Sequence, residues 1–183
     1  MIFTHDTNEA LRSAVWLVNA ALDVGGSEPG ALDSVDDLAA FYDDFGYTGR
    51  LDGDRDELTQ VQAIRGELRS LLTSERDAVV ATINRVLAEA QAVPQLVRHD
   101  GLDWHIHAIA DDAPVATRIL VETAMAMIDV IRHNELDRFS ICADETCEGI
   151  VLDLSRNRSR MYCSTACGNR NAVAAYRARN ATM

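Results

Sequence analysis

The sequence predicts a mainly α-helical chain with small β-hairpins. Three observations carry that reading. Apolar residues recur at spacings of three and four along most of the chain, they alternate in one short stretch, and all four cysteines lie in the tail. At 183 residues and 48% apolar, the chain has room for one ordinary core and a smaller appended module. The expected division is a helical domain containing one hairpin over 1–139 and a cysteine module over 140–183.

Taken in order, Asp6-x-x-Glu9 has the form of a capping box opening a first helix. Its Leu11, Ala14, Val15, Val18 and Leu22 form one stripe, with Gly25-Gly26 as the stop and Pro29-Gly30 in the loop beyond. Ser34-x-x-Asp37 opens a second helix with Leu38, Phe41 and Phe45 inward and Gly46 closing it. Asp54-x-x-Glu57 opens a third, carrying Leu58, Val61, Ile64, Leu68, Leu71 and Leu72 on one broad stripe. Ser74-x-x-Asp77 starts a fourth, with Val80, Ile83, Leu87 and Ala90 before Pro94. These stripes are most simply core.

The pattern changes between Gln95 and Ile109, where Asp100-Gly101 separates Leu96-Val97 from the alternating Leu102, Trp104, Ile106 and Ala108, the pattern of a hairpin. Asp112 and Pro114 then start a long helix whose Val115, Ile119, Leu120, Ala124, Met127, Ile128 and Ile131 pack back on the bundle. Met125 and Met127 read as gap-filling core. The long helix runs almost directly into the cysteine region at Ser140.

No stretch approaches the ~18 consecutive apolar residues of a membrane span, and the start of the chain lacks the basic and apolar regions of a secretion signal. A cytoplasmic protein with reduced thiols is expected, so paired cysteines are read as metal ligands before disulfides. The net charge of -12 conceals an asymmetry. Residues 1–140 carry a balance of -14, whereas 149–183 hold Asp153 as their only acid against six arginines. The tail is a basic island on an acidic body, and all 17 of the chain's basic residues are arginine.

The cysteines form two pairs, Cys142-x4-Cys147 and Cys163-x3-Cys167, fifteen residues apart. That spacing suits two ligand pairs closing one tetrahedral site, and Zn2+ is the expected structural cofactor; a redox pair or unrelated buried cysteines are the alternatives. The tail holds few apolar residues, and segments near ~40 residues seldom fold without a metal or disulfides. Ile150–Leu154 and Arg158–Tyr162 are expected to pair as a hairpin around Ser155-Arg156-Asn157, with Cys163 and Cys167 entering a terminal helix. A knuckle, a hairpin and a ligand-bearing helix make a treble-clef-like finger.

The run Cys163-Ser164-Thr165-Ala166-Cys167-Gly168-Asn169-Arg170 resembles the CGNR zinc-finger family of bacterial transcription regulators. The likeness extends upstream through Leu152-Asp153-Leu154-Ser155-Arg156-Asn157 and Arg160. Leu17-Val18-Asn19 and Asp37-Leu38 are similar to that family's N-terminal ABATE domain, so the resemblance spans nearly the whole chain. Two positions depart from the pattern. Tyr162 stands where tryptophan commonly precedes the third cysteine, and Asn171-Ala172 replaces a common lysine, which removes a phosphate contact. The resemblance implies a stress-induced, DNA-binding regulator.

Arg156, Arg158 and Arg160 would alternate onto one face of an extended strand, while Arg170 and Arg177 would share one side of the terminal helix, with Arg179 beyond. Together they can straddle a phosphate backbone; shielding thiolates or docking on the acidic body is the competing role. Asn169 and Arg170 are candidates for contacts to base edges or phosphates, or for supporting the zinc knuckle, and Gly168 for letting the backbone approach the metal. His105 and His107, with Asp103 beside them, form a second, weaker metal candidate, and His133 sits near a helix C-terminus. No phosphate loop, nucleophile elbow or His-Glu-x-x-His motif is present, which leaves an enzyme as the weakest reading.

The expected function is sequence-specific DNA binding through the finger, with the helical domain sensing a small-molecule or protein effector; a further possibility is a small-molecule pocket enclosed between the hairpin and the helices. Homodimerisation would enlarge the DNA contact. The alternative is a zinc-stabilised protein-interaction module without DNA binding.

Overall fold

The computed structural model describes residues 3–22, 32–98 and 104–181. The Gly25-Gly26 stop, the Pro29-Gly30 loop, the Asp100-Gly101 turn, Leu102 and Asp103 lie outside the described residues. Along the chain run α1 (His5–Asn19), α2 (Val35–Asp44), α3 (Arg55–Ala63), α4 (Arg65–Thr73), α5 (Arg76–Glu89), β1 (Gln95–Val97), β2 (His105–His107), α6 (Val115–Arg132), β3 (Phe139–Ile141), β4 (Ile150–Leu152) and α7 (Thr165–Ala181). The chain is mainly helical, with two small antiparallel hairpins.

The core is built around α6, which packs against α1, α3, α4 and α5. Pro114 is its N-cap, as a fixed φ suits, and Ile119, Ala124, Met127 and Val130 are buried. From α1 come Leu11, Ala14, Leu17 and Val18, and from α3 and α4 come Leu58, Val61, Leu68, Leu71 and Leu72. A cluster of Trp16, Phe41, Phe45 and Tyr47 closes the α1–α2 side, with Trp16 and Phe41 centroids 5.1 Å apart.

Several local expectations need correction. The Asp6 box does not form: Thr4 is the N-cap, its hydroxyl donating to that of Thr7 rather than capping a backbone N–H, and Glu9 pairs with Arg12 instead. Ser34 and Asp37 do form a reciprocal box. The third helix is two, broken at Ile64, where ψ falls to -8°; Gly66, a poor helix former, lies just beyond, while the apolar stripe runs through unbroken. Ser74 ends α4 and Glu75 precedes α5, whose buried residues are Val79, Ile83 and Val86, one step round from the stripe through Val80.

The first hairpin forms in register Leu96↔Ile106, but its apolar face is outward: Trp104 is 63% exposed and Leu96 67%. The inward face carries His105 and His107, whose Nε2 atoms are 3.2 Å apart, with His107 bonded to Asp111 at 3.1 Å. The second hairpin is not the expected one. β4 pairs with β3, upstream of the first cysteine, in register Ser140↔Val151, so the knuckle is the tip of this hairpin. Residues 153–164 form no strand, because the Asp153 carboxylate accepts the N–H of Ser155 at 2.8 Å and of Arg160 at 2.6 Å and curls the segment into a loop.

Strand β4 is a wall shared by the two halves of the molecule. Ile150 and Leu152 belong to the helical core, whereas Val151 between them packs with Cys142, Cys147 and Cys167.

Candidate metal centre

The centre begins with the hairpin tip. Cys142 follows β3, and its N–H donates to the Gly149 carbonyl at 2.8 Å; the Cys147 N–H donates to the Asp144 carbonyl at 2.9 Å. Cys163 precedes α7 and Cys167 occupies its first turn, where Ser164 accepts the Cys167 N–H as a helix cap at 3.2 Å. One sulfur from each cysteine falls within 4.8 Å of the others. Cys147 and Cys163 sulfurs are 3.5 Å apart, Cys163 and Cys167 3.7 Å. Sulfurs bound at ~2.3 Å to a tetrahedral Zn2+ stand about 3.8 Å from one another, so the donor set has the size of a zinc site.

Electrostatics point the same way. Burial, then the neighbouring sulfurs, pushes the Cys163 thiol well above its ordinary value, and burial raises Cys147. Cys167 is drawn down instead, its burial outweighed by the Ser164 hydroxyl and the neighbouring sulfurs; four thiolates this close together are held side by side only around a cation. Donors already face the sulfurs: the Gly149 N–H reaches Cys147 at 3.3 Å, the Cys163 N–H reaches Cys142 at 3.4 Å, and Arg170 reaches Cys167 at 3.3 Å. Such bonds favour thiolate over thiol. Among the described residues no other group of three or more histidine, cysteine or carboxylate side chains converges in this way; Asp103, the acid expected beside His105 and His107, lies outside the described residues.

Asp144, buried in the knuckle, is the hub that sequence reading missed. Its Oδ1 accepts the N–H and hydroxyl of Thr146, and its Oδ2 accepts Arg170 Nε and Asn171 Nδ2, both at 2.7 Å. Arg170 and Thr146 hold this carboxyl well below the usual range. Asn171 also donates to the Cys167 carbonyl at 2.9 Å. The supporting amide is therefore Asn171; Asn169 is exposed on α7. The glycine that makes room is Gly149, since a Cβ there would lie 2.8 Å from the Cys163 sulfur, whereas one at Gly168 would meet only Tyr162 at 3.6 Å. A glycine two residues after a ligand, and an Asp-x-Thr turn pattern between two ligands, were the available signals.

The arginines scatter. Arg158, at φ 47°, reaches back to Glu135 and Asp137 on the acidic body. Arg160 folds over the tail, donating to the carbonyls of Tyr162 at 3.2 Å and Cys163 at 2.9 Å. Arg156 is exposed in the turn, and Arg177 and Arg179 are exposed on α7. The single extended face expected for Arg156, Arg158 and Arg160 does not form, because the Asp153 loop replaces the strand.

Comparison with known proteins then decides the family. Residues 11–134 match the ABATE family, described as "Putative stress-induced transcription regulator", and residues 138–180 match the CGNR zinc finger. The chain belongs to the ABATE family. None of the curated proteins compared with it matches. In this ABATE protein the regulator-type domain precedes the zinc finger, structural Zn2+ is the cofactor, and both matched families are of regulatory and zinc-finger types. No helix among the described residues is long and apolar enough to cross a membrane.

Proposed function

We propose that this ABATE protein is a zinc-dependent, DNA-binding transcription regulator. Cys142, Cys147, Cys163 and Cys167 hold the ion, α7 and the 156–160 loop contact DNA, and the acidic helical domain, bounded near residue 139, receives an effector. The observation that supports this reading best is α7. From Ala172 to Asn180 every residue is exposed, and the helix carries Arg170, Arg177 and Arg179 without one acid. A helix of 17 residues is about 25 Å long, and one that buries nothing beyond its first turns is shaped for a groove.

Bound zinc supplies the finger's fold. The chain's own residues do the rest. Ser164 caps α7, the Asp144 hub fixes its second turn through Arg170 and Asn171, and Asn169 and Arg177 are left to meet bases or phosphates. Arg156, Arg160 and Arg179 add phosphate contacts, and Arg158 joins them on leaving Glu135 and Asp137. A second copy on a two-fold site supplies the area that one finger lacks.

Selection from a random DNA pool, run with metal-loaded protein and with a chelator-stripped sample, tests the reading. Enrichment of one motif by the metal-loaded sample alone is expected. Enrichment by neither overturns it in favour of the second reading, a protein-interaction finger, for which the exposed Val173 and Tyr176 on α7 speak.

A further inference from the structure

A cleft of ≈ 770 Å³ lies between α1 and the loop that follows β4. That volume is within the range of small-molecule sites. It is not the pocket expected between the first hairpin and the helices; its walls come from both the helical domain and the finger. Trp16, Phe45 and Leu154 give it an apolar side, and Arg12, Arg160 and Ser159 a polar one. Among the described residues the one acid on its lining is Asp153, whose two oxygens are already occupied by the N–H groups of Ser155 and Arg160. In a chain of net charge -12, a cavity lined by two guanidiniums and one committed carboxylate is a local exception.

We infer that this cleft is the effector site, and that it takes a small organic anion with a flat, apolar body, of the aromatic carboxylate class. The cations are available for it. Among the described residues Arg12 has one side-chain partner, the half-buried Glu9 at 3.0 Å; because the Arg12 side chain is itself mostly in solvent, the pair is of the kind worth little in water. Arg160 spends Nε and one Nη2 hydrogen on the Tyr162 and Cys163 carbonyls and keeps its other edge. The Ser159 hydroxyl has no hydrogen-bond partner among the described residues, and the aromatic side accepts a flat ring.

The position of the cleft makes it a coupling device. Cys163 lines it, and Arg160 ties its rim to the carbonyl of that same residue. Asn19, also on the lining, holds β4 through the backbone of Ile150. An anion bridging Arg12 and Arg160 contacts both halves at once and binds best when the finger is docked on α1. By linkage, occupancy then favours that docked arrangement. The identity of the effector deepens the proposed function, but its test reads ligand binding and is blind to DNA.

The probes are 1-naphthoate and its neutral analogue 1-naphthylmethanol, titrated by calorimetry into the full-length zinc-loaded protein. One naphthoate per chain is expected, bound at least about tenfold more tightly than the alcohol. Arg12→Ala, a surface change, is expected to weaken naphthoate about three- to tenfold and leave the alcohol unchanged; Ser159→Trp, which fills the cleft, removes binding of both. Arg160→Ala also alters the Cys163 loop, so Arg12→Ala is the deciding variant, with zinc content and melting checked in each. Naphthoate is further expected to slow hydrogen exchange at the Ile150 amide. No saturable binding below about 1 mM, equal affinity for the two probes, unchanged affinity in Arg12→Ala, or unchanged exchange at Ile150 overturns the assignment.

Discussion

The side-chain amide of Asn19 stands in for a missing β-strand beside Ile150. Its Nδ2 donates to the Ile150 carbonyl at 2.9 Å, and its Oδ1 accepts the Ile150 N–H at 2.7 Å. Both residues are buried, and they are 131 positions apart. One side chain at the end of α1 thereby satisfies the outer edge of β4 and ties the finger to the helical core.

Replacing Asn19 with Ala leaves a buried N–H and a buried carbonyl without partners. At about 1–3 kcal/mol for each orphaned group, the zinc-loaded protein is expected to lose about 2–4 kcal/mol in urea denaturation. Asn19→Asp keeps the acceptor and loses the donor, and is expected to fall between. A loss below about 0.5 kcal/mol in Asn19→Ala would show that water replaces the amide at no cost.

Gly149 and Gly168 should behave oppositely. Alanine at 149 brings a Cβ to 2.8 Å from the Cys163 sulfur and 3.2 Å from that of Cys147, so the sulfurs must part. Zinc affinity, measured by chelator competition, is expected to fall about tenfold or more. Alanine at 168 meets only ordinary contact within α7 and removes a poor helix former, so stability is expected to hold or rise by up to about 1 kcal/mol. Equal effects at both positions would contradict the packing described for the knuckle.

The periodicity of the helices and the cysteine spacing were legible because each is local: a stripe on α1 or a pair of thiols four or five positions apart needs no knowledge of the rest. What stayed hidden depends on distant partners. The pairing of β4 with β3 could not be read, since Arg158–Tyr162 alternates as well as Phe139–Ile141 does; Asp153 decides by spending its carboxylate on the loop. The Asp144 hub joins a knuckle acid to two side chains of α7, 26 and 27 positions away. Asn19 was visible as part of a family pattern, but its role required Ile150 beside it. The break at Ile64 left the apolar period untouched and so left no trace in it.

Glu122 on α6 gives the helical domain a pH dependence of defined sign. Burial pushes its carboxyl up to about 7; Arg118 opposes this, and Asp111 and Asp6 add to it. The folded chain therefore binds this proton more tightly than the unfolded chain does. Stability from this group is complete below the unfolded value near 4.5 and is lost as pH rises towards 7. The change amounts to no more than about 3 kcal/mol at 1.36 kcal/mol per unit. Glu122→Gln is expected to flatten the stability profile between pH 5 and 8, measured by urea midpoints, and to be the more stable form at pH 8. A wild-type profile already flat across that interval would remove the assignment.

Arg170 and Arg177, seven residues apart on α7, separate support from contact. Arg170 is anchored twice, to Asp144 at 2.7 Å and to the Cys167 sulfur at 3.3 Å, whereas Arg177 is exposed. Arg170→Ala strips a buried carboxylate of its cationic partner and a thiolate of a donor, so the melting temperature and resistance to chelator are expected to fall together. Arg177→Ala and Arg179→Ala are expected to leave both unchanged. On DNA these last two should each reduce the slope of log K against log salt by about 0.9, the value for one phosphate contact on B-DNA. Arg158→Ala, made at a residue already paired with Glu135 and Asp137, should change that slope least. If instead Arg170→Ala alters only the salt slope and neither melting nor zinc retention, the Asp144 hub does not hold α7 and the helix is positioned by the thiolates alone.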